Sequence, residues 1–212
     1  MDDLHKFKVG IMGGTFDPIH YGHLYIAECS RHSYGLAKVL FLPSGQPVHK
    51  NRPDIIDPAH RVRMTRLAIE SNPFFSLSTV EVDRLGPTYT VDTLEQLHEK
   101  SAGTEEFYFI TGADAIMEIL TWKDVARVFG LCRFIAVTRP GYSLAALNKI
   151  LNDLTPGQRA KIHIHETGGT LISSTEIRMR VSHGEPIKYL VPEGVERYII
   201  TEGLYIPKIN ME

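Results

Sequence analysis

The chain is short of cysteine, carries little surplus charge of either sign and holds no long apolar run, and each shortage removes a class of function. Its two cysteines, Cys29 and Cys132, stand far apart with no C-x-x-C pattern, so neither a disulfide framework nor a thiolate zinc site is indicated. Both read as small buried hydrophobes. Lys and Arg number 23 against 25 Asp and Glu, a formal charge of -2, which argues against a duplex-binding protein whose affinity comes from neutralising many phosphates. Local phosphate sites stay open. No stretch of about 18 apolar residues occurs, and Met1 to Lys8 is charged where a signal peptide needs its apolar part. The expectation is a protein of the reducing cytoplasm, with no membrane or nucleic-acid partner.

What is present is an ordinary globular composition of 212 residues, 43% hydrophobic and 23% charged. A chain of that length supports one domain over residues 1–212 and buries roughly 70% of its unfolded surface. Short β-rich runs alternate with longer segments of helical period, the pattern of a parallel sheet covered by crossover helices. Six strands are expected: Lys8 to Met12, Val39 to Pro43, Phe75 to Glu81, Phe107 to Thr111, Arg133 to Thr138 and Ile162 to His165. Phe134-Ile135-Ala136-Val137 lacks polar alternation, as strands buried on both faces do. Helices are expected at His20 to His32, Pro58 to Ser71, Val91 to Lys100, Asp114 to Gly130 with a break near Thr121, Leu144 to Leu154, Ser174 to His183, and Pro192 to Glu202. Pro192 suits the first turn of the last helix and Gly203 its end. The fold class is α/β, a Rossmann-like doubly wound, mainly parallel six-stranded sheet with helices on both faces and a small helical part from about residue 172. Ser44 to Asp57 is long enough, at 14 positions, to be a substrate loop.

The chemistry begins directly after the first strand, at Gly13-Gly14-Thr15-Phe16-Asp17-Pro18-Ile19-His20-Tyr21-Gly22-His23. The diglycine lets the backbone turn sharply and approach a ligand without Cβ obstruction. Amides of Thr15 and Phe16 can then face an anion, helped by the donors and positive dipole end of the helix that starts near His20. His20 and His23, three apart, share a helical face from which both imidazoles can donate to phosphate oxygens. A plain strand-to-helix turn would use the same glycines, and Asp17-Pro18 reads as an Asx-type turn that starts the helix. The chain has neither G-x-x-x-x-G-K-[ST] nor G-x-G-x-x-G, so this cradle is not one of the two commoner kinds. No third ligand accompanies the histidine pair, so zinc is not expected. About 150 residues on stands Ile172-Ser173-Ser174-Thr175-Glu176-Ile177-Arg178. There a serine can cap a helix whose amides meet a second anionic group, and Arg178 can reach a polyphosphate as a forked cation. A plain cap with a solvated arginine has the same sequence.

These two elements resemble those of the nucleotidyltransferase superfamily marked by H-x-G-H. Within it, Gly86-Pro87-Thr88-Tyr89-Thr90-Val91-Asp92-Thr93-Leu94 is similar to the G-P-S-Y-T-x-D-T-L element of bacterial nicotinate mononucleotide adenylyltransferases, with Thr88 in place of the serine. Gly112-Ala113-Asp114 followed by Trp122 resembles that family's G-x-D segment and ring-stacking tryptophan. The resemblance implies transfer of AMP from ATP to nicotinate mononucleotide, giving deamido-NAD and pyrophosphate. It implies ATP contacts from Gly13, Gly14, Thr15, Phe16, His20, His23, Asp114, Ile172, Ser173, Ser174, Thr175 and Arg178. It implies mononucleotide contacts from Lys50, Tyr89, Thr90, Trp122 and Lys123, with His20, His23 and Arg178 catalytic. Magnesium would be held through the ATP phosphates, with no protein side chain as ligand.

Physical content accompanies each role. Trp122, the single tryptophan, offers a face for a pyridinium ring, although a core position would use it equally. Amides near Thr90 and after Trp122 would favour a carboxylate over a carboxamide, which turns an NH₂ toward one donor. Asp114 can accept from ribose hydroxyls or cap a helix. Lys50 can hold a substrate phosphate or stay solvated, and Arg139 recurs in the family without a partner that the residues reveal. The rivals are a phosphopantetheine adenylyltransferase, a cytidylyltransferase, or a non-catalytic nucleotide sensor; Tyr89 and Trp122 disfavour the first two and the intact histidines, serines and Arg178 the third. A homo-oligomer is left open.

Overall fold

The computed structural model describes residues 6–47, 55–138, 143–169 and 171–207. In chain order its strands are β1 (Phe7–Gly14), β2 (Lys38–Pro43), β3 (Gln46–Pro47), β4 (Phe75–Leu77), β5 (Pro87–Thr88), β6 (Glu105–Gly112), β7 (Cys132–Thr138) and β8 (Ile162–Glu166). The helices are α1 (Tyr21–Tyr34), α2 (Pro58–Ile69), α3 (Thr90–Ser101), α4 (Ala113–Met117), α5 (Val125–Leu131), α6 (Leu144–Asp153), α7 (Pro156–Arg159), α8 (Ser174–Ser182) and α9 (Glu193–Thr201), with a 3₁₀ turn at Ile119–Thr121.

Apolar side chains on both faces of a strand require cover on both sides, and the sheet has it. Its order is β4-β2-β1-β6-β7-β8, every pairing parallel. On one face Met12, Tyr108, Ile110, Ile135 and Val137 meet Ala27, Met64, Ile177, Val195 and Ile199 of α1, α2, α8 and α9. On the other, Val9, Ile11, Phe107, Phe134 and Ala136 meet Leu94, Ile116, Val128 and Leu147 of α3 to α6. The expected class is therefore the one adopted. β1 has β2 on one side and β6 on the other, so successive crossovers diverge there and open a crevice at the carboxyl ends of the two strands. That switch point is where open parallel sheets bind ligands.

Several local expectations are corrected. Gly13 and Gly14 extend β1 instead of turning, and the left-handed residue is Phe16 at φ 50°. Gly14 still needs to lack a Cβ, which would come within 2.8 Å of the Phe16 ring. The third expected strand stops at Leu77 because local bonds compete with the ladder: Ser78 accepts from the Val80 amide, and Thr79 binds the Asp83 carboxylate at 2.7 Å. Pro192 lies one residue before α9 as its N-cap, and Gly203 follows that helix at φ 60°. The long central helix breaks as expected, at the extended Trp122 and left-handed Asp124.

The two-residue pairing of β3 with β5 was not expected from sequence. It closes Gln46 against Thr88, whose hydroxyl accepts the Gln46 amide at 2.9 Å. The turn of helix at α7 was not expected either; Thr155 caps it with Gln158 in return. Both are too short to leave a periodic trace.

Candidate active site

At the β1/β6 switch point lies a cleft of about 490 Å³. Its walls include Gly13, Gly14, Thr15, Phe16, His20 and His23 from one stretch of chain and Ile172, Ser173, Ser174, Thr175 and Arg178 from the other. Asp114 closes a third side. Every residue expected to contact ATP thus lines one cavity.

His20 is the N-cap of α1 instead of its first turn, and its ring stacks on His23 at 3.8 Å between centroids. Phe16 meets the His23 ring edge-on at 5.1 Å. The His20 amide donates to His23 Nδ1 at 3.3 Å. That bond assigns the His23 proton to Nε2, leaving that nitrogen a donor. Burial pulls the His20 imidazole down to about 4, so it is neutral at pH 7. Its Nδ1 is buried without a hydrogen-bond partner among the described residues, as is the hydroxyl of Thr167 in the same cleft. Buried polar atoms of this kind are satisfied in most proteins by a ligand or by water.

α8 begins as expected: the Ser173 hydroxyl accepts the Glu176 amide at 3.2 Å. Ser174 turns the other way and donates to the Pro18 carbonyl at 2.8 Å, tying α8 to the phosphate-side loop. Arg178 is not a solvated arginine. Nη1 donates to the Asp17 carbonyl at 2.7 Å, and Nη2 to the Thr175 hydroxyl at 3.2 Å. The expected Asx role of Asp17 gives way to a tertiary one, since its carboxylate, only 2% exposed, accepts from the Tyr205 hydroxyl at 2.9 Å. Asp114 is not a helix cap: Gly112 holds that position in α4.

On the neighbouring surface, Tyr89 is the N-cap of α3 and Thr90 its first residue. Trp122 is half-buried, packed edge-on against Phe109 at 5.9 Å and Phe134 at 6.1 Å. Lys123 lies over the Tyr89 ring at 4.4 Å and pairs with Asp92 at 3.1 Å, linking the tryptophan turn to the start of α3. Lys50, in the expected substrate loop, and Arg139 lie outside the described residues.

Three supporting residues escaped the sequence reading. Arg61, 1% exposed, donates to the carbonyls of Thr15 at 2.8 Å, Ile56 at 3.2 Å and Gly45 at 3.4 Å. Its signal was available, because Arg61 shares the buried stripe Met64, Thr65, Ala68, where a cation needs a reason. Tyr205 left no such signal. Glu81 accepts from Thr93 of α3 at 3.0 Å, and burial pushes its carboxyl up to about 7.

Residues 11–180 match the cytidylyltransferase-like family model, and the chain belongs to that family. Among its relatives, the protein named probable nicotinate-nucleotide adenylyltransferase in Moorella thermoacetica is 51% identical over 96% of this chain and 94% of its own. That of Thermoanaerobacter sp. is 48% identical over 94% and 95%. Nicotinic acid mononucleotide adenylyltransferase of Plasmodium falciparum, solved in complex with NaAD, shares the fold at a TM-score of 0.75 and 22% identity, over 95% of this chain and 98% of that one.

Proposed function

We infer that the chain is a nicotinate-nucleotide adenylyltransferase, joining the AMP of ATP to nicotinate mononucleotide with release of pyrophosphate. The observation that carries this reading is the convergence of the stacked His20 and His23 with the Ser173 to Arg178 turn on one cleft at the sheet's switch point. Relatives at about half identity over nearly the whole chain carry the same activity in their names.

The mononucleotide's 5′-phosphate is already largely dianionic near neutral pH, its second pKa being about 6, so no general base is needed. It attacks the α-phosphorus in line, and pyrophosphate leaves without a covalent enzyme intermediate. The work of the protein is positioning and charge stabilisation. His23 Nε2 and the His20 imidazole, which burial keeps neutral, donate to the α- and β-phosphates. Arg178, which lines the same cleft, neutralises charge on the departing pyrophosphate. The imidazoles and guanidinium that line the cleft suit a polyphosphate, and magnesium would be carried on the ATP phosphates. When bound, that ion neutralises charge on the leaving group. Asp114 accepts from the adenosine ribose, and Lys50 holds the entering phosphate.

For the mononucleotide, the start of α3 at Thr90 and the backbone after Trp122 supply donors to the ring carboxylate. Trp122 stacks on the pyridinium, and Tyr89 and Lys123 hold that wall together. Residues 1–212 serve as one domain in this reading, with two free cysteines suited to the cytoplasm. No helix of the described residues is long and apolar enough to cross a membrane. A paired assay of pyrophosphate release with nicotinate and nicotinamide mononucleotide tests activity and selectivity together. Faster turnover of the acid is expected, and no release with either substrate would refute the reading.

A further inference from the structure

We propose that Tyr205, at the far end of the chain, is a positioning residue of the ATP site, acting through Asp17 on Arg178 and the loop between β1 and α1. The inference rests on the adenylyltransferase reading and adds a residue to it.

The loop is unusual in how its backbone is held. Phe16 is left-handed, a conformation that costs a non-glycine residue of order 1 kcal/mol or more and persists only where its surroundings impose it. The carbonyls on either side of Phe16 are each gripped by a guanidinium from another element: Thr15 by Arg61 of α2 and Asp17 by Arg178 of α8. Arg61 is engaged away from the cleft, whereas Arg178 lines it. The position of Arg178 is therefore sensitive to what the Asp17 carboxylate does.

That carboxylate is shared. Oδ1 accepts the Tyr205 hydroxyl at 2.9 Å, while Oδ2 stands 3.8 Å from Arg178 Nη1, too long for a direct hydrogen bond. Among the described residues, the charged and titratable groups facing Asp17 include Arg178 of α8, Arg61 of α2 and Tyr205 from the segment after α9. Burial, with Asp17 beside it, raises the Tyr205 hydroxyl above its ordinary range, so it remains a donor throughout the working pH range. Tyr205 thus holds the carboxylate back from Arg178. Without the hydroxyl, Oδ1 would lose that tie, and the carboxylate would draw Nη1 into a closer ion pair and pull the guanidinium off the polyphosphate.

The segment is itself anchored. The Tyr198 hydroxyl and His60 of α2 are 2.8 Å apart, Leu204 is buried, and the Leu190 carbonyl accepts the first amide of α1. The segment is so joined to the nucleotide loop at several points, and Tyr205 is the part of it that addresses the charge beside Arg178.

The test is Tyr205→Phe, which deletes one oxygen, read by turnover and by calorimetric affinity for magnesium ATP. Loss of a buried hydrogen bond to a charged group corresponds to about a tenfold effect. The expected result is a fall of about tenfold in kcat/KM for ATP and a matching weakening of ATP binding, with KM for nicotinate mononucleotide changed less than twofold. In an Asp17→Asn background the same substitution should do little more, because both act on one contact. Unchanged ATP parameters, equal loss for both substrates, additive losses, or a variant that no longer folds would each make the hydroxyl merely structural and overturn the proposal. A wild-type chain that binds ATP but releases no pyrophosphate would instead refute the activity, leaving the ATP affinity of Tyr205→Phe to judge the proposal by itself.

Discussion

At His20 and His23 the chemistry is decided by which ring nitrogen holds a proton. The His23 ring accepts at Nδ1 and so offers Nε2–H outward; the His20 ring is kept neutral by burial. The two rings stack at 3.8 Å between centroids, and a neutral His20 spares the pair a second charge. Removing one transition-state donor costs roughly 10² to 10³ in rate. His23→Ala should accordingly lose about that much kcat while its thermal unfolding stays close to wild type; near-normal turnover would strip His23 of its role. The His20 pKa of about 4 also has a sign in stability. Between about 6.5 and 4 the unfolded state binds the proton and the folded state does not, so this group makes stability fall as pH falls through that window. Denaturant titrations should show that acid-side loss reduced in His20→Asn.

At the scale of elements, the proposed mononucleotide wall depends on how α3 is held against the turn at Trp122. Trp122 stands on Phe109 and Phe134 with part of its ring uncovered. Trp122→Ala should raise KM for nicotinate mononucleotide about tenfold, the scale of a partly desolvated cation–π contact, and leave KM for ATP nearly unchanged. An unaltered mononucleotide KM would return the residue to the core. Glu81, bound to Thr93 of α3, behaves oppositely to His20. Its carboxyl, raised to about 7 from 4.5, stays protonated in the folded state where the unfolded chain has released its proton, so its contribution to stability declines as pH rises from about 4.5 to 7. Glu81→Gln should therefore be more stable relative to wild type at pH 8 than at pH 5, as urea midpoints would read; a constant difference would place Glu81 in solvent.

Elements were legible in proportion to their length and periodicity. The strands through Phe107 and Phe134 lie where their apolar runs predicted, and α6 falls within its expected span and buries Leu147 and Leu151. β3, β5 and α7 are too short to show a period. The end of the strand at Leu77 depends on serine and threonine bonds that compete with a ladder. That residues 13–23 and 172–178 would share one cleft was legible because their amides, imidazoles and guanidinium stand at the restricted spacings of two recognisable motifs. Tyr205 was not legible because it acts through a contact 188 residues away, whereas Arg61 left a signal in its buried helical stripe that went unread.

For the molecule as a whole, the parallel sheet matters because it brings residues 13–23 and 172–178 to one crevice. The first stretch leaves the end of β1 and the second follows β8, with β6 and β7 between those strands. Ser174 to Pro18 and Arg178 to Asp17 then close the two stretches on each other, over 156 and 161 residues of chain. An adenylyltransferase needs that closure, since the attacking phosphate and the departing pyrophosphate must lie on opposite sides of one phosphorus. The most direct measurement is amide hydrogen exchange with and without a magnesium-bound, non-hydrolysable ATP analogue. Protection should appear together in residues 13–24 and in 172–179; protection confined to one of these segments, or absent from both, would contradict a shared nucleotide site.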